Sequence, residues 1–475
     1  MSSIPFSNDP PNPIATDRAT TPRINRRVIL RGVAAAALSS LALAACGGST
    51  DSTATPATRA GTVAAPSAAA GSPTAASAAQ GGKTLNIIIS SDYQPIVQAY
   101  ADQFKQQTGT TVNITAQAYN QTHDKIVSGL AGGGAAYDLI AVDVIWTAEF
   151  AAAKFLAPLD DRITKSMQGE LVPAALVARS YNGSIYQWPL FTMKYLYYNA
   201  KILKDAGFAD PPKTWDELTG MSKAIQGKGL AKFGTAWAMS QAEGLICDYV
   251  LMANAFGGKY QDEKGNWILN QGGGLAALQY MVDSVAKEKI ADPSSSTLDD
   301  RTNRNLFLSG EVPFLLNWAS AYAQFKDPKS SKVADDVRIG LVPGVKEAGV
   351  VSSSCTGGSG FGVAAKSANK DTAWDFMKLM IVDDSAQRRW LKEGNQIPTK
   401  KVIYDDPQVI KDYPQFSQMR QQMDYGFGRP TVPWYGDWTK VLQLEINRAV
   451  IGEKTPKQAL DDAMKQVNAL QAENK

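Results

Sequence analysis

The sequence predicts an α/β protein of more than one lobe, and three observations carry that prediction. At 475 residues the chain exceeds what one hydrophobic core serves, on a scale of roughly 100 to 200 residues per domain. Between Lys83 and Lys154, strand-like and helix-like segments alternate at the spacing of a parallel unit. Residues 1–82 are of the wrong composition to join a core, so the folded body begins near Lys83.

The N-terminal stretch RINRRVILRGVAAAALSSLALAAC holds Arg23, Arg26, Arg27 and Arg31, then an apolar run from Val33 to Ala45. That run is too short for a lasting membrane span and fits a secretory signal, so residues 1–45 are expected to be an address outside the fold. Leu43-Ala44-Ala45-Cys46 resembles a bacterial lipobox. The resemblance implies cleavage before Cys46, acylation of its thiol and anchorage to the cell membrane from outside. Asn25 to Arg31 also resembles a twin-arginine export signal, with a plain secretory signal as the alternative. Residues 46–82 are almost wholly Ala, Ser, Thr, Gly and Pro, and nothing in them repays the entropy of ordering. They read as a tether.

In the body, KTLNIIIS is a buried strand, and PIVQAYADQFKQQTG sets Ile96, Val97, Tyr100 and Phe104 on one helical stripe ending at Gly109. TTVNITAQ is a second strand, Thr122 to Leu130 a helix, and Gly132 to Gly134 its breaker. YDLIAVD is a third strand, followed by a helix from Trp146 to Lys154. In open parallel sheets, ligands bind beyond the carboxyl ends of strands. Those ends offer Asp92 and Tyr93, then Asn120 and Gln121, then Asp143 and Trp146. Hydrogen-bonding and aromatic groups at three successive ends point to a polar ligand. The alternative is that Asp143 caps its helix and Trp146 packs within its own lobe.

YDLIAVDVIWTAEFAAAKFLAPLDD, the stretch from YNGSIYQWPL to TWDEL, FLSGEVPFLLNWAS, GFGVAAKSANKDTAWDFMKLMI and RPTVPWYGDW with its downstream helices stand in one order across Lys83 to Lys475. On these phrases the chain resembles the extracellular solute-binding proteins of bacterial ABC importers, the family that includes the maltose-binding type. The resemblance implies a type II periplasmic-binding-protein fold, two α/β lobes around a ligand cleft. It assigns 83–192 and 361–427 to one lobe and 193–360 and 428–475 to the other. TMKYLYYN and the glycine-rich CTGGSGFG, with Gly357 and Gly358, are the implied hinge segments. The glycines do not make a phosphate loop, because the Lys-Ser/Thr ending is missing.

A sugar presents hydroxyls at its edges and C–H groups on its faces, so its site needs amides and carboxylates together with flat rings. On the family template, Trp237, Trp318, Trp434, Tyr435 and Trp438 are the expected stacking platforms. Gln241, Glu243 and Asn317 are expected to reach hydroxyls, and Arg429 has the planar fork for two adjacent oxygens. Trp215 is expected to be packing. The implied partners are a carbohydrate ligand and membrane permease subunits, with the protein itself a monomer.

The body holds 42 basic and 42 acidic residues, so it lacks the basic footprint that nucleic acids demand. Cys247 and Cys355 can pair as a disulfide or remain two buried thiols. The single histidine, His123, is expected on the surface at a helix start. One histidine without a cysteine cluster gives no basis for a metal site. Without a nucleophile elbow there is no basis for a serine-hydrolase engine either. No cofactor and no catalytic residue are expected. The other readings are the same fold binding glycerol phosphate, a polyamine or an iron-type oxyanion, or a secreted glycosidase using two carboxylates.

Overall fold

The computed structural model describes residues 83–394 and 396–474; the signal, Cys46 and the tether lie outside the described residues. The strands are β1 (Thr84–Ser90), β2 (Thr111–Gln117), β3 (Leu139–Asp143), β4 (Ser180–Tyr181), β5 (Ser184–Ile185) and β6 (Trp188–Pro189). They continue with β7 (Thr192–Asn199), β8 (Phe314–Trp318), β9 (Val337–Gly340), β10 (Ser354–Gly357), β11 (Ser359–Val363) and β12 (Gly426–Phe427). One sheet has the order β2-β1-β3-β11-β6, the other β12-β10-β7-β8 with β9 also on β7. The fold is α/β with two lobes, the type II periplasmic-binding architecture.

The first lobe follows from its alternation. Leu85, Ile87 and Ile89 of β1 face a core with Ile96, Val97, Tyr100 and Phe104 of helix Gln94–Thr108. Ile88, Ile140 and Val142 face the opposite core with Ile126, Leu130 and Phe150. Both faces of β1 and β3 are covered, which is why Ile87 to Ile89 and Leu139 to Val142 run apolar without alternation. β1 runs parallel to β2 and β3. Helix Gln94–Thr108 has proline in its first turn and ends on Gly109 at φ 74°, where a left-handed residue closes the last turn. The next helix spans Tyr119–Ala131, three residues earlier than its apolar stripe alone indicates.

The second lobe is organised on β7, which pairs antiparallel with β8, β9 and β10. Its main core joins Trp215, Trp237, Tyr249, Leu278, Trp438 and Leu442. A third core places Leu391, Ile403, Tyr404, Phe416 and Met419 with Tyr195, Tyr197 and Leu315. The stretch 361–427 therefore divides. β11 and the helical residues up to Trp390 serve the first lobe's core, whereas residues from Leu391 to Met423 pack around β7 and β8.

Of the three chain crossings between the sheets among the described residues, two lie side by side. Leu190 and Phe191 join β6 to β7, and Gly358 alone separates β10 from β11. Gly358 has φ 93°, and a Cβ there would come 2.7 Å from the Leu190 carbonyl oxygen. Glycine is required on both counts.

Candidate functional site

One wall of the candidate site is built at the end of β3. The Asp143 carboxylate accepts the Ile145 N–H at 3.2 Å and the Tyr119 hydroxyl at 3.1 Å. Burial pushes its carboxyl above the ordinary value, opposed by the Arg429 charge and those two donors. Tyr119 stacks on Trp146 at 5.9 Å and 19°, yet keeps 39% of its surface open. Its hydroxyl end, turned inward onto Asp143, is desolvated, and with the Asp143 and Glu243 charges this raises its pKa well above the usual tyrosine range.

The other wall starts at helix Glu243–Ala255, whose first-turn carboxylate collects donors. Glu243 accepts from Arg429 Nη1 at 2.7 Å, Thr439 Oγ1 at 2.8 Å, Gln443 Nε2 at 3.3 Å and the Tyr435 hydroxyl. Tyr435, Thr439 and Gln443 are spaced four apart on helix Tyr435–Val450, so one helix face meets one carboxylate. Arg429 Nη2 also reaches the Thr356 carbonyl oxygen at 3.5 Å. Beside it stands Trp318, half-buried, with Nε1 donating to Asp300 Oδ2 at 2.9 Å. The ring lies so near β10 that a Cβ at Gly357 would come within 2.8 Å of it.

The walls face each other. Arg429 and Glu243 are among the charges acting on Asp143, and both act on Tyr119. Ile145 packs against the cores of both lobes. Arg301 of the second lobe brings Nη2 to 3.8 Å from Asp92 Oδ2 of the first.

Of the residues expected from sequence, Asp143, Glu243, Trp318, Gly357, Arg429 and Tyr435 come together here. Tyr93 stands behind the first wall, edge-on to Trp390 at 5.6 Å, with burial raising its hydroxyl to about 12. Gly358 belongs to the crossing rather than to a wall. Trp434 is half-buried, its ring against Trp267 at 5.7 Å.

Several expectations are corrected. Trp237, Tyr435 and Trp438 are buried in the second lobe's core, so none is a platform; Tyr435 meets the site only through its hydroxyl on Glu243, and Trp237 Nε1 is held by Ser284 Oγ at 2.9 Å. Asn317 is also fully buried, and its amide is used up by Asp300, Asn303, Arg304 and the Trp318 N–H. By contrast, Asn120 and Gln121, exposed in the first turn of the helix that carries Tyr119, and Gln241, exposed with its amide on Asn447, stay open to a ligand. Trp146 packs within its own lobe, and Asp143 caps the turn Val144–Trp146 while also holding Tyr119. The capping and packing alternative is the one this stretch displays. Sequence reasoning missed Tyr119, adjacent to its chosen Asn120, and Asp300, which nothing local marks.

His123 is not a free surface residue. Its ring stacks on Phe150 at 5.5 Å and its Nε2 lies 2.9 Å from Glu149 Oε2. Cys247 and Cys355 are two free, buried thiols, each perturbing the other's titration, with Cys355 Sγ 3.5 Å from the Thr356 carbonyl oxygen; they are neighbours without a bridge. Among the described residues, no group of three or more His, Cys, Asp or Glu side chains is disposed to hold a metal ion, and no helix is long and apolar enough to cross a membrane.

A family model described as bacterial extracellular solute-binding protein matches residues 90–387. A probable ABC transporter-binding protein of Deinococcus radiodurans is 26% identical over 374 residues, covering 77% of this chain and 87% of its own length. A maltotriose-binding protein of Pyrococcus abyssi is 26% identical over 320 residues, 66% of this chain and 65% of its own. Among solved structures, maltose-bound MalE3 of T. maritima superposes with a TM-score of 0.73 at 27% identity, over 82% of this chain and 100% of its own.

Proposed function

We propose, from the fact that this chain belongs to the bacterial extracellular solute-binding protein family, that its cleft captures a carbohydrate of one to a few rings and delivers it to an ABC importer. Membership makes the chain a non-catalytic, extracytoplasmic binding protein. The carbohydrate is our reading. What carries it is the charge arithmetic of the facing walls. Arg429 is matched by Glu243, and Asp143 is satisfied by two donors. A neutral solute rich in hydroxyls suits such a site, since a phosphate would need uncompensated cations and a polyamine uncompensated acids. The half-buried Trp318 and exposed Tyr119 supply faces for C–H groups. The relatives named for maltose and maltotriose agree in ligand class.

Capture would proceed by rotation of the lobes about the crossings between the sheets. A lipid at Cys46 would hold the body to the membrane, and the chain would act as a monomer; intact mass of the membrane-extracted chain tests the first, sedimentation the second. The central experiment is thermal unfolding of the full-length chain with maltose, maltotriose and ribitol, against glycerol phosphate and spermidine. A neutral sugar is expected to raise the midpoint, with about 2.7 kcal/mol of stabilisation at a hundredfold excess over Kd, and Trp318→Ala to abolish that rise. A midpoint raised only by the charged solutes would reject the reading.

A further inference from the structure

Lys194, two residues into the second sheet from the first crossing, has a fully buried side chain. In β7 it lies directly opposite Trp318 of β8, so the two side chains share a face of the sheet. Its ammonium donates to Asp248 Oδ1 at 2.5 Å and Asp300 Oδ1 at 2.6 Å, and lies 5.4 Å from the Trp318 ring centroid. Asp300 spends its other oxygen on the Trp318 indole N–H at 2.9 Å. Asp248 spends its own on the Ala238 N–H at 3.3 Å. The Asp300 carbonyl is held in turn by Asn317 Nδ2 at 2.9 Å. Space for Asp300 is kept by Gly244, where a Cβ would come 2.7 Å from Oδ2.

We infer that Lys194, Asp248 and Asp300 form a positioning device for the Trp318 ring, and that the device, rather than general packing, fixes the platform's tilt and so the ring geometry of the solutes it accepts. The ring is held on three sides: its N–H by Asp300, one face by the Lys194 charge, its far edge by β10 at Gly357. A half-buried indole needs no buried ammonium and two carboxylates to be stable. Three ions beside it are costly to bury and are retained where they fix one arrangement. Burial alone would strip Lys194 of its proton, but the paired carboxylates hold it above the ordinary lysine range. The cation over the ring is therefore permanent.

The functional half of this inference rests on the solute-cleft reading; the positional half does not. The full-length chain labelled with 5-fluorotryptophan resolves ring environments by fluorine NMR, with Trp318→Phe identifying the Trp318 resonance. In Asp300→Leu that resonance is expected to shift and broaden while those of Trp237 and Trp438 stay in place. Lys194→Arg, which keeps the cation, should leave it near its original position. Where Asp300→Leu fails to fold, Asp300→Asn, which keeps a single acceptor, should show the same selective shift. A Trp318 resonance unmoved in these variants, or all resonances moving together, would overturn the inference. Maltose affinity by calorimetry adds a second arm: Asp300→Leu and Trp318→Phe should each weaken binding about tenfold, and the double variant no further. Additive losses would also overturn it. A wild-type chain that binds no maltose counts against that sugar as the ligand and leaves the NMR arm to decide.

Discussion

Trp237 and Trp318 look alike in sequence, each an indole followed by alanine among small or polar residues. Trp237 is sealed against Trp215 and Ser284, whereas Trp318 is half-buried in the candidate site with its N–H on Asp300. What separates them is a partner far away in the chain, Ser284 for one and the Lys194–Asp300 pair for the other, and no local pattern encodes that. Trp237→Ala should cost about 3–5 kcal/mol of unfolding free energy, measured in urea, well beyond the cost of Trp318→Ala. Equal costs would mean that Trp318 too is core. His123 teaches the same lesson, since Phe150 and Glu149, from a helix well down the chain, convert an expected surface residue into a half-buried ion-pair partner. Burial opposes its proton, but the Glu149 and Asp124 carboxylates prevail and raise its pKa above 6.5. Raised in the fold, this group stabilises fully below the unfolded value near 6.5 and loses that contribution as pH climbs through the folded one. NMR titration should place its midpoint above 6.5, and Glu149→Gln should lower it.

At the scale of elements, the first lobe was legible because β1 and β3 are buried on both faces and its helices carry plain stripes. Ile87 and Ile88 face opposite cores, yet both had to be apolar, and a run of isoleucines says so. Helix starts were harder to read. The helix Tyr119–Ala131 begins on residues outside its apolar stripe, which is why Tyr119 went unseen beside Asn120. The region after Trp390 was read as returning to the first lobe, but Tyr404, Phe416 and Met419 lie on Tyr195 and Tyr197. Apolar residues in short helices do not state which sheet they will meet. The crossing at Gly358 is the element most exposed to a single change. Gly358→Ala places an L side chain at φ 93° against the Leu190 carbonyl, strain of about 1–3 kcal/mol. Calorimetry should show a lowered unfolding midpoint, and an unchanged one would mean that the crossing relaxes freely.

For the whole molecule, the family and its fold were recoverable from the order of five phrases, whereas the solute is set by ring placement that no phrase records. The lobes also meet at the rim, where Arg301 and Asp92 approach across the mouth while remaining exposed. Such a pair adds little in salt. Arg301→Glu would set two acids against each other there and weaken solute affinity by roughly two- to fivefold at low ionic strength, fading above about 0.15 M. Calorimetry at two salt concentrations checks this, and a loss indifferent to salt would point instead to a contact with the solute. A single residue links β10 to β11, pressed against the neighbouring link at Leu190. A join that short leaves little slack, so movement of the halves would be a pivot rather than a slide; on the proposed function, the fit of a guest would be translated into an angle that a membrane partner can gauge from outside.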